Sequence, residues 1–254
     1  MTSPMTDQSH MTDLFHETPP RRPKKLYETV QDALADVGDG ASIMSGGFGL
    51  SGIAENCISE LARRGVKDLT VISNNCGNQG KGLAVLLKQR QIRKCICSFI
   101  GGNPDLQEQL LASEIEVELN PQGTLAERIR AGGAGIGGFY TPTGVGTAVA
   151  EGKDERVFGG KRMILETGLT ADFAILRASK ADPLGNLRFY RTSRNFSPLM
   201  AMAGRITIVE VEELVPVGAL DPDDIHLPGV FVQRIVVGRN YVNTIEQRTV
   251  RART

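Results

Sequence analysis

The chain has 254 residues, 41% of them hydrophobic and 23% charged, which is enough for one large α/β domain or two small ones. Lysine plus arginine balances aspartate plus glutamate at 29 each, so there is no global field to gather nucleic acid or an anionic membrane surface. No apolar stretch nears the roughly 20 residues of a bilayer span and the N-terminus lacks the apolar core of a secretion signal, so a cytoplasmic location is the expectation.

Residues 1–23 are polar, rich in Met, Thr and Pro and without periodicity, and are expected to be a disordered tail. The short basic run at 21–25 reads as solvated. Folding begins near Lys24. Val30, Leu34 and Val37 recur at helical spacing, and Gly38 with Gly40 stops that helix before a strand at 41–45. The strand opens onto a glycine loop, Gly46, Gly47, Phe48, Gly49, Leu50, Ser51 and Gly52. Ile53, Cys57, Ile58 and Leu61 mark the next helix, closed by Gly65, and a strand at 69–73 then ends in Asn74 and Asn75. Helix 82–88, strand 93–100, helix 104–112, strand 115–119 and helix 124–130 follow. Such alternation predicts an α/β fold with a mainly parallel sheet and helices on both faces.

The C-terminal part is richer in strands, with candidates at 163–166, 172–178, 187–190, 205–211 and 230–237 and one clear helix at 195–203. Residues 151–160, charged and ending in Gly159 and Gly160, read as a surface hairpin or excursion. No flexible linker or internal repeat divides the chain after Lys24, so it is read as one domain. Glu210, Glu212 and Glu213 read as strand-end surface.

Four cysteines, Cys57, Cys76, Cys95 and Cys97, are too few and too irregular for a disulfide framework. Cys95 and Cys97 point to one face of an extended run, as small apolar side chains do. His10 and His16 fall in the tail and His226 in a proline-flanked loop, so no metal site is expected.

Two glycine clusters stand out. Residues 121–147 hold eight glycines and no charge after Arg130. Glycine gathers where φ must be positive or where a ligand or second backbone comes too close for a Cβ, and a tight loop between helix and strand is the plainer alternative. In open parallel sheets ligands bind at the carboxyl ends of the strands. Three loops qualify: 46–52, Ser73-Asn74-Asn75, and Pro121-Gln122-Gly123-Thr124. The first offers bare N–H groups near a helix N-terminus, suited to phosphate, pyrophosphate or a developing oxyanion. Asn74 and Gln122 offer neutral donors for a thioester or carboxylate oxygen, with a strand-end turn and a helix-entry cap as their structural alternatives. Residues 47–52 also spell G-x-G-x-x-G, but the acidic residue a dinucleotide site needs about 20 positions later is missing, and Ser73-Asn74-Asn75 stands there instead.

From Lys24 onward the chain resembles the A (alpha) subunits of succinyl-CoA:3-ketoacid CoA-transferases, within the family I CoA-transferases. The blocks that carry the resemblance are GGFGLSGIAEN at 46–56, GVKDLTVISNN at 65–75, VELNPQGTLAERIRAGGAG at 117–135 and FYTPTGVGT at 139–147. KADPLGNL at 180–187, RNFSPLMAMAG at 194–204 and LDPDDIHLPGVFVQRIV at 220–236 follow. The resemblance implies an alpha-type CoA-transferase domain over 24–254 and transfer of CoA from succinyl-CoA to acetoacetate or a similar 3-oxoacid. The reaction would run by ping-pong chemistry through a glutamyl-CoA thioester formed on a partner, the B (beta) subunit of the enzyme. It implies no cofactor beyond the CoA thioester as substrate, and a heterodimer or heterotetramer. Asn74 and Gln122 would face the reacting centre, and Gly46, Gly47, Phe48, Gly49, Leu50, Ser51 and Gly52 would form the CoA-site loop. Acetate/acetoacetate or 3-oxoadipate transfer, or a diverged acyl-CoA hydrolase or decarboxylase half-enzyme, are the alternatives. Three features depart from the pattern: Ala54 replaces a proline, which should loosen the helix start, Gly102 replaces a glutamate, and 76–82 lacks acidic residues. The Gly137-Gly138 pair is closer to acetate/acetoacetate enzymes.

Overall fold

The computed structural model describes residues 24–78 and 80–244; the tail expected over 1–23, with His10 and His16, lies outside the described residues. The first half alternates as its periodicity requires: α1 (Val30–Ala33), β1 (Ser42–Ser45), α2 (Glu55–Arg64), β2 (Leu69–Ile72), α3 (Ala84–Lys88), β3 (Ile92–Cys97), α4 (Pro104–Leu111), β4 (Glu116–Leu119) and α5 (Gln122–Gly133). Then come β5 (Gly138–Thr141), β6 (Glu155–Phe158), β7 (Lys161–Thr167), β8 (Ala171–Ala181), β9 (Leu187–Arg188), α6 (Ser197–Ala203), β10 (Gly204–Leu214) and β11 (Arg234–Val237).

The main sheet runs β11-β10-β8-β1-β2-β3-β4, all parallel, with β9 antiparallel on the end of β8. From β1 the chain first builds outward through β2, β3 and β4, then returns to the other side of β1 as β8 and continues to β11. The order therefore reverses between β1 and β8, and a crevice opens at the carboxyl ends there. Two apolar layers cover the sheet. Leu34, Cys57, Leu61, Leu86, Leu87 and Leu106 pack on one face with Ile43, Val71 and Cys95. Leu125, Ile129, Met200 and Ala201 pack on the other with Met44, Ile72 and Leu176. Alternate residues of β1 thus feed opposite layers, the pattern of a strand covered on both sides.

Local signals set the ends. Gly65 closes α2 in the left-handed region, and the Asn103 side chain caps α4, whose first residue is Pro104. The excursion at 151–160 is the β6–β7 hairpin, turned by Gly159 and Gly160, both at positive φ as a two-residue hairpin loop needs. β5, which the sequence pattern did not reveal, pairs on the other side of β7. Two of the glycines of 121–147 find their reason here. A Cβ on Gly132 would lie 1.9 Å from the Leu169 carbonyl oxygen, and one on Gly133 would lie 2.9 Å from Met202 Cβ. They let α5 press against the β7–β8 turn and α6, so a second backbone, not a ligand, fills the space that glycine leaves.

Candidate active site at the carboxyl ends of the strands

β1, β2, β3 and β4 end side by side, and their last residues are hydrogen-bonded into a row. Ser73 Oγ donates to the Ser45 carbonyl (2.9 Å), Ser98 N–H to the Asn74 carbonyl (2.9 Å), and Asn120 N–H to the Cys97 carbonyl (2.8 Å). Asn74 is buried, and its Oδ1 accepts from Ser98 Oγ (3.0 Å) and from Gln122 Nε2 (2.8 Å). The two carboxamides singled out from sequence, 48 positions apart, therefore touch. Gln122 is exposed at the first turn of α5, whereas Asn74 lies buried beneath it. With Oδ1 filled by two donors, the amide nitrogen of Asn74 is fixed in orientation.

Gln122 owes its position to Arg128, a residue that the sequence pattern does not single out. The buried guanidinium donates to Glu118 Oε1 (2.6 Å), Asn120 Oδ1 (2.6 Å) and the Thr167 carbonyl (2.9 Å), locking α5 onto the end of β4. Arg128 and Lys94 hold the Glu118 carboxyl below the usual carboxylate range against the opposing effect of burial.

The glycine loop is as compact as its composition suggests. Phe48 and Ser51 exchange two backbone hydrogen bonds of 3.0 Å, and Gly47, Gly49 and Gly52 all take positive φ. A residue missed from sequence clamps it. Asn195 Oδ1 accepts from Gly47 N–H (3.1 Å), while its Nδ2 donates to the Ser51 carbonyl (3.1 Å). Asn195 itself sits at φ +24° and ψ −117°, outside the left-handed helical region, and an Asn just before a helix was the available signal. Gly52 lies so close to the Ser193 carbonyl that a Cβ would come within 2.4 Å of that oxygen. Phe48 and Ser51, together with Arg191, Thr192, Arg194, Asn195 and His226, line an open pocket of about 700 Å³ over the β1–β8 crevice.

One donor set expected for an anion is already taken. α2 has no side-chain cap from Ala54; instead Glu210, from β10, accepts from Cys57 N–H (2.9 Å) in the first turn. Glu210 is fully buried, which corrects its reading as strand-end surface, whereas Glu212 is half-exposed and paired with Arg177 and Glu213 is exposed and paired with Lys180. Burial raises the Glu210 carboxyl to about 7, opposed by the Cys57 N–H. Glu210 thus supplies the helix start that the missing proline was expected to loosen. Burial also pushes the Cys57 thiol up, with Glu210 adding to it, so this cysteine is an inert core residue.

The two other departures lie against each other. Gly102 takes φ +70° with the Asn78 carboxamide 3.0 Å from where its Cβ would be, and Asn103 Nδ2 donates to the carbonyls of Cys76 (2.8 Å) and Gly77 (3.1 Å). A glutamate at 102 would be strained in that conformation. Among the described residues no group of three His, Cys, Asp or Glu is placed to hold a metal ion, and no helix is long and apolar enough to cross a membrane.

The family model for coenzyme A transferase matches residues 27–238. The A subunit of the succinyl-CoA:3-ketoacid coenzyme A transferase of Xanthomonas campestris pv. campestris (strain B100) is 56% identical over 228 residues, 89% of this chain and 94% of the relative. The corresponding protein of Helicobacter pylori (strain J99 / ATCC 700824), which bears the same name, is 52% identical over 228 residues, 90% of this chain and 98% of the relative. The apoenzyme of the acyl-CoA transferase YdiF from Escherichia coli O157:H7 shares the fold with a TM-score of 0.78 at 22% identity, over 91% of this chain. The chain spans about half of YdiF, 51% of its length.

Proposed function

The chain belongs to the coenzyme A transferase family, and on that premise we propose that it is the alpha half of a heteromeric enzyme moving CoA from succinyl-CoA to a 3-oxoacid such as acetoacetate. The observation that carries this reading is the direct Asn74–Gln122 contact at the carboxyl ends of β2 and β4, beside relatives that bear this activity in their names. Its fit to half of a longer acyl-CoA transferase supports a second chain, the beta half, completing the site.

The chemistry follows from what a carboxylate and a thioester need. A glutamate of the partner chain attacks the succinyl-CoA carbonyl, CoA thiolate leaves, and a mixed anhydride forms. The thiolate then attacks the glutamyl carbonyl, releasing succinate and leaving a glutamyl-CoA thioester, and the acceptor acid repeats the two steps in reverse. Each attack puts negative charge on a carbonyl oxygen. The Asn74 and Gln122 carboxamides are neutral N–H donors for that oxygen, and their mutual hydrogen bond holds them before the charge develops. Neutral donors also leave the attacking carboxylate without a competing ion pair. No cofactor takes part, since the thioester is itself the activated substrate.

The test is to pull the tagged chain from its native cells and assay the eluate for CoA transfer from succinyl-CoA to acetoacetate. Activity with a co-eluting second chain, lost when the tagged chain is purified alone, is the expected result. Co-elution without transfer to any of several 3-oxoacids would overturn the ketoacid assignment.

A further inference from the structure

Charges of alternating sign run in one chain from the edge of the main sheet to the three-stranded sheet. Glu116 and Glu118, on β4, both meet Lys94 Nζ of β3, at 2.7 and 3.2 Å. Glu118 then meets Arg128 of α5 at 2.6 Å, Arg128 meets Glu166 of β7 at 3.8 Å, and Glu166 meets Lys153 at 2.6 Å. Each inner carboxylate spends one oxygen in each direction. Glu118 gives Oε1 to Arg128 and Oε2 to Lys94, and Glu166 gives Oε2 to Arg128 and Oε1 to Lys153. The innermost members are out of solvent, Arg128 at 8% and Glu166 at 2% exposure, while Glu116 at one end is exposed and Lys153 at the other is partly so. Buried ions seldom add net stability over apolar side chains of the same volume, because desolvation offsets their attraction. Their best-founded use is to fix how elements sit against one another.

We propose that Glu166 and Lys153 are positioning residues for Gln122, acting through Arg128, so that the seating of the three-stranded sheet sets the reach of the Gln122 carboxamide. The inference rests on the proposed transferase reading and deepens it. Arg128 follows Gln122 on α5 by about 9 Å along the axis, at roughly 1.5 Å per residue. Its NH1 group bonds Glu118 and Asn120 on the β4 side, and its Nε bonds the Thr167 carbonyl and faces Glu166 on the β7 side. The Arg128 carbonyl accepts from Leu169 N–H (2.8 Å), and Gly132, one turn further on, lets the same β7–β8 turn come into backbone contact. α5 is therefore gripped between two sheets, and neutralising Glu166 leaves Arg128 and Lys153 without the carboxylate that holds them together. What depends on the grip is the 2.8 Å bond from Gln122 Nε2 to Asn74 Oδ1, which a slide of α5 by about 1 Å would break. Misplacement on that scale can cost on the order of a hundredfold in rate.

The experiment has two arms. In the nitrogen-15-labelled full chain, the side-chain amide signal of Gln122, assigned by its loss in Gln122→Ala, is expected to shift in Glu166→Gln and in Lys153→Met and to stay in place in Lys153→Arg. A signal unmoved in both charge-removing variants would overturn the proposal. Lys153→Met, at a partly exposed position, keeps the test available should Glu166→Gln fail to fold. Glu114→Gln, which breaks an exposed pair with Arg90 (2.6 Å) outside the chain of charges, controls for net charge. In the two-chain complex, wild-type transfer from succinyl-CoA to acetoacetate checks the transferase reading itself. Glu166→Gln is expected to lower kcat roughly tenfold with KM for succinyl-CoA within about threefold. The same change in a Gln122→Ala background should cost less than about twofold, because the group it positions is gone. Equal loss in both backgrounds would overturn the proposal, making Glu166 a general support of the fold. A wild-type complex without transfer would sink the transferase reading and leave the amide signal to decide the positioning claim.

Discussion

Asn74 presents one oxygen to two donors, so removing either carboxamide disturbs the other. Asn74→Ala or Gln122→Ala should each lower kcat about ten- to thousandfold, the cost of losing an oxyanion-type donor. Because Gln122 loses its anchor when Asn74 is truncated, the double variant should cost clearly less than the product of the two single losses. Steady-state kinetics of the complex with both singles and the double measures this. Strict multiplication would mean that the two side chains act independently. A different residue-scale effect belongs to Glu210. Its folded pKa of about 7 lies above the usual 4.5, so below 4.5 the group is protonated in both states and costs nothing. As pH rises through 4.5 the unfolded chain ionises first, and stability falls until Glu210 itself ionises near 7, a loss on the order of 3 kcal/mol. Glu210→Gln keeps an acceptor for Cys57 N–H and cannot ionise, so the urea midpoint of wild type minus variant should drop between pH 4.5 and 7 and level off above. A difference that does not change with pH would show that Glu210 does not titrate there.

At the scale of elements, α5 sets two rules against each other. Helix propensity favours Ala over Gly by about 1 kcal/mol. Gly123 has open space where a Cβ would go, while Gly132, in the same helix, has the Leu169 carbonyl 1.9 Å away. Gly123→Ala should therefore gain up to about 1 kcal/mol, and Gly132→Ala should lose several, because backbone rather than a movable side chain must give way. Denaturant midpoints of the two variants check it, and equal effects would show that packing does not decide. The same helix shows why some of this fold was legible and some was not. The β1 to α5 alternation could be read because both apolar periods are local, and Asn74 and Gln122 stood out because they lie in segments that leave the carboxyl ends of strands. Gly132, Asn195, Arg128 and Glu210 act through partners 37, 148, 10 and 153 positions away, and no local period carries such pairings. β5 stayed hidden because its four residues are half-buried throughout and show no alternation.

For the whole molecule, the site imposes a direction on assembly. In the proposed reaction a glutamate from another chain would have to reach a thioester carbonyl that Asn74 and Gln122 would hold, and the partner would then seat on the carboxyl ends of β1 to β4. That face is where Phe48, Phe99 and Leu119 are exposed at 49%, 53% and 51%, each just beyond or at the end of a strand. Large apolar groups gathered at one end of a parallel sheet are the surface a partner would dehydrate, at about 25 cal/mol per Å². The β6–β7 hairpin, with Val157 and Phe158 also exposed, projects from the separate three-stranded sheet and need not be covered by the same contact. Hydrogen exchange with and without the partner chain distinguishes the two surfaces. Amides at 46–52, 98–103 and 120–124 should slow on complex formation, and those at 155–167 should not. Phe99→Asp should weaken association at least tenfold while leaving the melting temperature of the free chain within a few degrees, since the side chain is half exposed. Protection confined to the hairpin would place the partner away from Asn74 and Gln122, and a glutamate supplied in trans could not then reach the carbonyl they hold.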